Sequence, residues 1–340
     1  VPLPQPTSKR KFGLVLVLLS SLLLAFQNVV ITVIFNKSSI FGLFELGGFL
    51  APSLGNSLFV LWLRMLVVVP LMAILTTVLY PSMWREIEQI FRSKDWLLFF
   101  NILASGFFLF LSQVLIYLAL ASISPGIAIT IFFIYPIFTV LLAWGLYGIR
   151  PTLISSLVVF SVLVGFILIT LPGSRTSELS NLGVSAAAGA SIAFALYVIL
   201  SQSSAKKLNP IPLSWMNFVV ILTFSSLGLA VPLSDSWRFD IAPVMLPGLL
   251  VGCLILGGTT LLSYFLNNMG LRRIDAARAS ILGATVPALT AFLALVMIQS
   301  SLQIPQIFGL LIVTLGVAAL SFDRWRRHTK TTQPGTQKSS

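Results

Sequence analysis

From Gly13 to Phe322 the chain passes through one apolar stretch after another, with only short polar breaks between them. A stretch of roughly 20 apolar residues is long enough to cross the hydrocarbon core of a bilayer. No water is present there to satisfy backbone N–H and C=O groups, so each stretch must close its hydrogen bonds internally, as a helix. The pattern predicts an all-α polytopic membrane protein with ten transmembrane helices. They are expected near residues 13 to 35, 57 to 80, 97 to 117, 125 to 147, 151 to 171, 183 to 203, 211 to 231, 246 to 268, 274 to 298 and 302 to 322. The lipid bilayer is thus the first partner of the chain, and a mean hydropathy of +1.01 is outside the range of soluble cores.

Basic residues sort by side of the membrane. Lys9, Arg10, Lys11, Arg85, Arg92, Lys94, Arg150, Lys206, Lys207, Arg272, Arg273, Arg324, Arg326, Arg327 and Lys330 fall on one side, against Lys37, Arg175 and Arg238 on the other. By the positive-inside rule both termini are cytoplasmic, in a plasma (inner) membrane, which requires an even number of spans. The basic start resembles a signal peptide, but its apolar run is too long and lacks a small-x-small cleavage site, so an uncleaved first span is expected. A net charge of +12 spread over loops and tails does not build a nucleic-acid-binding face.

The pattern between Tyr117 and Leu171 recurs from Asn268 onward at a constant separation of 151 residues. That shift lays Pro136 on Pro287, Thr139 on Thr290, Gly165 on Gly316, Gly106 on Gly257 and Ser112 on Ser263. Pro and Gly constrain backbone geometry most, so their shared register carries the weight. Five spans is an odd number, so the second copy enters the membrane upside down, and the expected fold is two inverted five-helix repeats. The expected organisation is a cytoplasmic tail (1–12), a first repeat (13–171), an external linker (172–182), a second repeat (183–322) and a cytoplasmic tail (323–340). Earlier positions align with other shifts, such as Trp62 on Trp215, which locates an insertion between Asn36 and Asn56. This apolar, Gly-rich segment is expected as a loop, with an interfacial lid as the alternative.

Two five-span units, each with a Pro in its fourth helix after a short turn and a Gly late in its fifth, resemble EamA-type members of the drug/metabolite transporter superfamily. The segments Tyr117 to Ile169 and the copy ending in Gly309 to Leu320 are similar to that family's repeat signature, and Arg64 in the second helix fits its pattern. The resemblance implies a transporter with a central cavity, peripheral fifth and tenth helices, and export as the direction. Arg150 and Pro151 stand where the family often has an acidic residue, and the first external loop is long; both leave the substrate open.

Arg64 is the one Lys or Arg well inside an expected span, about 10 Å from its outer end at a rise of 1.5 Å per residue. A cation at that depth needs a partner or water, and its planar fork suits a carboxylate or phosphate; snorkelling is the competing reading. Its repeat mate is the neutral Asn217. Asn28 and Thr32 share a face of the first helix, Gln113 pairs with Tyr117, and Tyr264 with Asn267 lies on the eighth. Together these polar stripes are the candidate substrate-binding residues, with interhelical hydrogen bonding as the alternative use of each. Pro136 and Pro287 are candidate kinks or hinges.

No Asp or Glu lies mid-span, which weakens proton coupling and dication binding. The single histidine, His328, lies in the C-terminal tail and Cys253 is alone, so a serine-protease triad, a metal cluster and a disulfide are all missing their parts, and no cofactor is expected. The chain is expected not to be an enzyme. It reads as a secondary transporter of a small amphipathic metabolite, such as an amino acid or related organic solute. An exporter of organic cations is the alternative within that class, and a channel or non-transporting receptor the alternative outside it. Oligomeric state has no signature in the sequence.

Overall fold

The computed structural model describes residues 7–92, 95–148, 153–170, 180–205, 207–230, 245–271, 273–274 and 276–331. Most of the expected linker 172–182 lies outside these residues, as do Lys94, Arg150, Arg175, Lys206, Arg238 and Arg272. Each apolar run forms helix: α1 (Thr7–Phe35), α2 (Leu54–Leu79), α4 (Trp96–Ser122), α7 (Leu153–Thr170), α8 (Asn181–Ser204), α9 (Pro210–Ala230), α10 (Leu246–Leu271) and α13 (Ile304–Thr331). Between α2 and α4 lies α3 (Met83–Arg92). Short polar residues start the helices where the chain leaves lipid: Ser53 accepts from the Asn56 N–H at 3.1 Å and Asp95 from the Leu98 N–H at 3.1 Å. Among the described residues eight spans are long and apolar enough to cross a membrane, and two shorter apolar helices cover Ser156–Ile169 and Ile304–Ala319.

Four features add detail to the expected organisation. The spans expected at 125 to 147 and 274 to 298 are present as apolar segments, Pro125–Leu146 and Ile281–Ile298 among the described residues, and each is interrupted, into α5 (Pro125–Phe132) with α6 (Tyr135–Tyr147) and α11 (Ala276–Gly283) with α12 (Val286–Ile298). The break precedes each proline, so Pro136 and Pro287 sit second in a new helix, where a missing N–H costs nothing. Second, the segment expected as a loop holds a hairpin of β1 (Ser38–Ile40) and β2 (Phe44–Leu46), paired antiparallel. The segment that follows β2 caps α1: the N–H groups of Gly48 and Phe49 donate to Val33 O and Ile34 O at 3.0 and 2.8 Å. Gly47 has φ 101°, and any Cβ there would lie 2.0 Å from Val33 O. Third, α3 is an amphipathic helix that buries Met83, Ile87 and Ile90. Fourth, the tails are partly helical, α1 beginning at Thr7 and α13 reaching Thr331.

The separation of 151 residues carries α5 onto α11 and α6 onto α12 with identical bounds, and the left-handed Gly148 onto the left-handed Gln299. Helix packing follows the same exchange. α4 runs along α8 as α10 runs along α1; α9 meets α4 as α2 meets α10; α6 meets α8 as α12 meets α1. A Cβ on Gly106 would lie 2.6 Å from Val220, and one on Gly257 2.6 Å from Val67, so equivalent glycines admit equivalent valines. The small-residue ridge Gly183, Ala187, Ser191 and Ala195 is buried along α8. The periphery is apolar, with Leu157 and Phe160 on α7 and Phe308 and Leu315 on α13 largely exposed.

Candidate functional site

Where the broken helices meet α1, α2, α4, α8, α9 and α10, a cavity of about 570 Å³ remains. At its polar end stands Arg64, which is 6% exposed. Its Nε donates to Thr260 Oγ1 at 2.9 Å, and its Nη1 donates to Gln113 Oε1 at 3.2 Å and to the Tyr117 hydroxyl at 2.5 Å. The Tyr117 ring centroid is 5.9 Å from the guanidinium carbon. Thr260 is itself held, donating to Leu256 O at 2.6 Å and accepting from Gln27 Nε2 at 2.5 Å.

A guanidinium has five N–H donors. Three are engaged, every engaged partner is neutral, and Nη2 makes no hydrogen bond among the described residues. The ion pairs among the described residues, Lys37 with Glu45, Arg92 with Glu88 and Lys207 with Asp95, all lie elsewhere. Among the described residues, no Asp, Glu, His or Lys is in the wall of the cavity. The side chain is therefore oriented by hydrogen bonds while its charge has no counter-ion among the described residues, a state that is costly at low dielectric.

Away from Arg64 the wall is aromatic. Phe194 of α8 meets Phe132 at a centroid distance of 5.1 Å, Tyr135 at 4.7 Å and Tyr197 at 5.2 Å. Phe133 and Phe218 complete this side. The helix breaks place these rings: α5 ends at Phe132 and α6 begins at Tyr135, both in the wall, as are Gly283 and Val286 at the equivalent break.

The cavity lies toward one end of the bundle. Its lining includes Val17 and Ser20 on α1 and Asn267 on α10, near the end that carries Lys11, Arg85, Arg92, Lys207 and Arg273. The opposite end is sealed. Thr32 Oγ1 donates to Leu120 O at 3.1 Å, Asn36 Nδ2 donates to Ala121 O at 3.0 Å, and the hairpin covers the seam between α1 and α12.

Of the candidates drawn from the sequence, Arg64, Asn28, Gln113, Tyr117, Tyr264, Asn267 and Pro136 line the cavity. Asn28 also donates to Thr290 Oγ1 at 3.2 Å, tying α1 to α12. Thr32 is outside the lining and belongs to the seal. Asn217 is buried between α9 and α4, its Oδ1 accepting from Ser105 at 2.9 Å, and Pro287 is buried without reaching the cavity. Gln27 and the aromatic wall are absent from the sequence reading. Gln27 lies one residue from Asn28, off the stripe that residue shares with Thr32, and nothing separates Phe132 or Phe194 from the other phenylalanines among 26.

The model of the EamA-like transporter family matches residues 181–322. A protein of Synechocystis sp. described as an uncharacterized transporter is 39% identical over 314 residues, 92% of this chain and 94% of that one. A solved crystal structure, 16% identical, shares the fold with a TM-score of 0.52 over 95% of this chain and 99% of its own.

Proposed function

Because this chain belongs to the EamA-like transporter family, we propose that it is a secondary transporter carrying a small amphipathic metabolite, such as an amino acid or related organic solute, through its central cavity by alternating access. The observation that carries this reading is the Nη2 edge of Arg64, two donors on a buried cation that has neither a partner for them nor a counter-ion among the described residues. A substrate carboxylate would accept from that edge, and its apolar body would lie against Phe132, Phe133 and Phe194. Gln113, Tyr117, Asn28, Tyr264 and Asn267 would complete the polar contacts. Export is the direction implied by the family resemblance.

The architecture proposed with it is ten spans in two inverted five-helix repeats, 13–171 and 183–322. Three observations support it: the shared bounds of the broken helices, the exchange symmetry of helix packing, and a family match that covers the second unit. Basic residues gathered at the Thr7 end support a plasma-membrane orientation with both termini cytoplasmic, the cavity then lying toward the cytoplasm. Outward opening on this reading requires the seal at Thr32 and Asn36 to part.

A thermal-shift screen of purified protein against amino acids, sugars, phosphorylated metabolites and cationic dyes tests the substrate class, since a ligand of the native state raises apparent stability. Stabilisation by carboxylate-bearing, apolar-bodied compounds is expected. Stabilisation by the cationic dyes alone would replace this reading with an organic-cation exporter that uses the aromatic wall.

A further inference from the structure

The hairpin between α1 and α2 has two chemically distinct faces. Its register pairs Ser38 with Leu46, Ser39 with Glu45 and Ile40 with Phe44, and side chains alternate along each strand. Ser38, Ile40, Phe44 and Leu46 therefore share one face, apolar but for Ser38 at its edge, while Ser39 and Glu45 share the other, where Glu45 is ion-paired with Lys37. The apolar face starts on protein: Ile40 is buried against Val29, Val33 and Ala294. It then continues uncovered, with Phe44 55% and Leu46 45% exposed, and the turn adds Phe41 at 54% and Leu43 at 81%.

This uncovered part stands at the end of a lipid-facing helix. The Phe41 N–H donates to Met297 O at 2.8 Å, in the last turn of α12, whose outer face carries the exposed Phe292, Leu295 and Val296. The hairpin is tied on both sides, through that bond and through Gly48 and Phe49, which cap α1. The exposed apolar residues of the hairpin thus adjoin the end of a helix whose own exposed side chains are apolar, while Glu45, on the opposite face of the hairpin, pairs with Lys37. We infer that the hairpin is a membrane-interface anchor: Phe41, Leu43, Phe44 and Leu46 dip into the boundary between acyl chains and headgroups, with Glu45 and Lys37 toward water. Amphipathic segments with one charged and one aromatic or aliphatic face lie in that plane. The anchor fixes the sealed ends of α1 and α12 at the bilayer surface. This inference stands on the hairpin alone and does not depend on what the cavity carries.

Spin labels test it in phosphatidylcholine–phosphatidylglycerol vesicles. Single cysteines replace Leu43, Phe44 and Glu45 in a Cys253→Ala background, all three at exposed positions, and each variant is checked for monodispersity before reconstitution. Collision with oxygen, which concentrates in lipid, is compared with collision with a water-soluble nickel chelate. Oxygen is expected to relax the labels at positions 43 and 44 more strongly than nickel, with the order reversed at position 45. Nickel dominating at 43 and 44 would place the tip in water and overturn the inference. Immobile labels shielded from both reagents would overturn it as well, by showing a protein cover such as a second copy.

Discussion

Replacing Arg64 separates binding from folding in a way the geometry makes quantitative. A hydrogen bond to a charged group contributes about 1.5–3 kcal/mol. Each 1.4 kcal/mol is tenfold in affinity, so Arg64→Gln is expected to weaken a carboxylate ligand by roughly 10- to 100-fold. Arg64→Lys keeps the charge but loses the Nε bond to Thr260 and the fork, so a loss of about tenfold is expected despite the conserved sign. Stability moves differently. The three partners of Arg64 are neutral; Thr260 keeps its bonds to Gln27 and Leu256, and Gln113 and Tyr117 face the cavity. Removing a cation with no counter-ion among the described residues relieves its desolvation, so the ligand-free Tm of Arg64→Gln should equal or exceed that of the wild type. Both quantities come from one assay, thermal titration of detergent-purified, monodisperse variants with a carboxylate identified in the screen. Unchanged affinity together with a lowered Tm would refute the reasoning and make Arg64 a structural residue.

Three further outcomes follow from the packing and the loops. Gly106→Ala and Gly257→Ala should each destabilise by about 1–3 kcal/mol through overpacking against Val220 and Val67, and to similar extents, as measured by thermal or denaturant unfolding. Thr32→Val combined with Asn36→Ala removes two hydrogen bonds of about 1 kcal/mol each from the seal. It should raise the reaction of an Asn28→Cys thiol with an impermeant reagent applied from the hairpin side. Asp95 accepts from Lys207 Nζ at 2.6 Å, and that bond, followed by the Leu98 N–H, holds its carboxyl below the usual carboxylate range. Because the folded value lies below the unfolded one, its contribution is complete above about pH 4 and is lost as pH falls through the depressed value. Asp95→Asn should therefore flatten the acid limb of a Tm profile while leaving the neutral limb parallel.

Hydropathy and the Pro–Gly register made the spans and the 151-residue periodicity legible, because helices in lipid have no alternative backbone partners. Arg64 stood out for the same reason, a charge at a depth where charges are expensive. The helix breaks were half legible. Proline marked the right spans, but a missing N–H is best tolerated near a helix start, so the chain parts before Pro136 and Pro287. The hairpin escaped notice because strands of three residues leave too short a period to read, and its fold depends on contacts with Val33 and Met297, distant in sequence or in environment. The helix α3 did carry a signal in its apolar Met83, Ile87 and Ile90, at spacings of four and three, but a ten-residue segment between spans reads first as a connection. Which polar residues face the cavity was legible for Arg64, Asn28, Gln113, Tyr117, Tyr264 and Asn267 but not for Thr32 and Asn217. Thr32 lies one turn beyond Asn28 on the same stripe, yet it falls where α1 closes on α4, and only tertiary packing distinguishes the two.

Alternating access through this cavity is tested most directly by counterflow in proteoliposomes. Vesicles are loaded with an excess of the unlabelled carboxylate identified in the screen, diluted, and given a trace of radiolabelled ligand outside. A carrier whose one site faces the two sides in turn accumulates label transiently above its equilibrium level, with saturable dependence on ligand and with little accumulation in Arg64→Gln. Label that only equilibrates, at a rate linear in concentration and equal with or without internal ligand, would contradict the account and identify a channel.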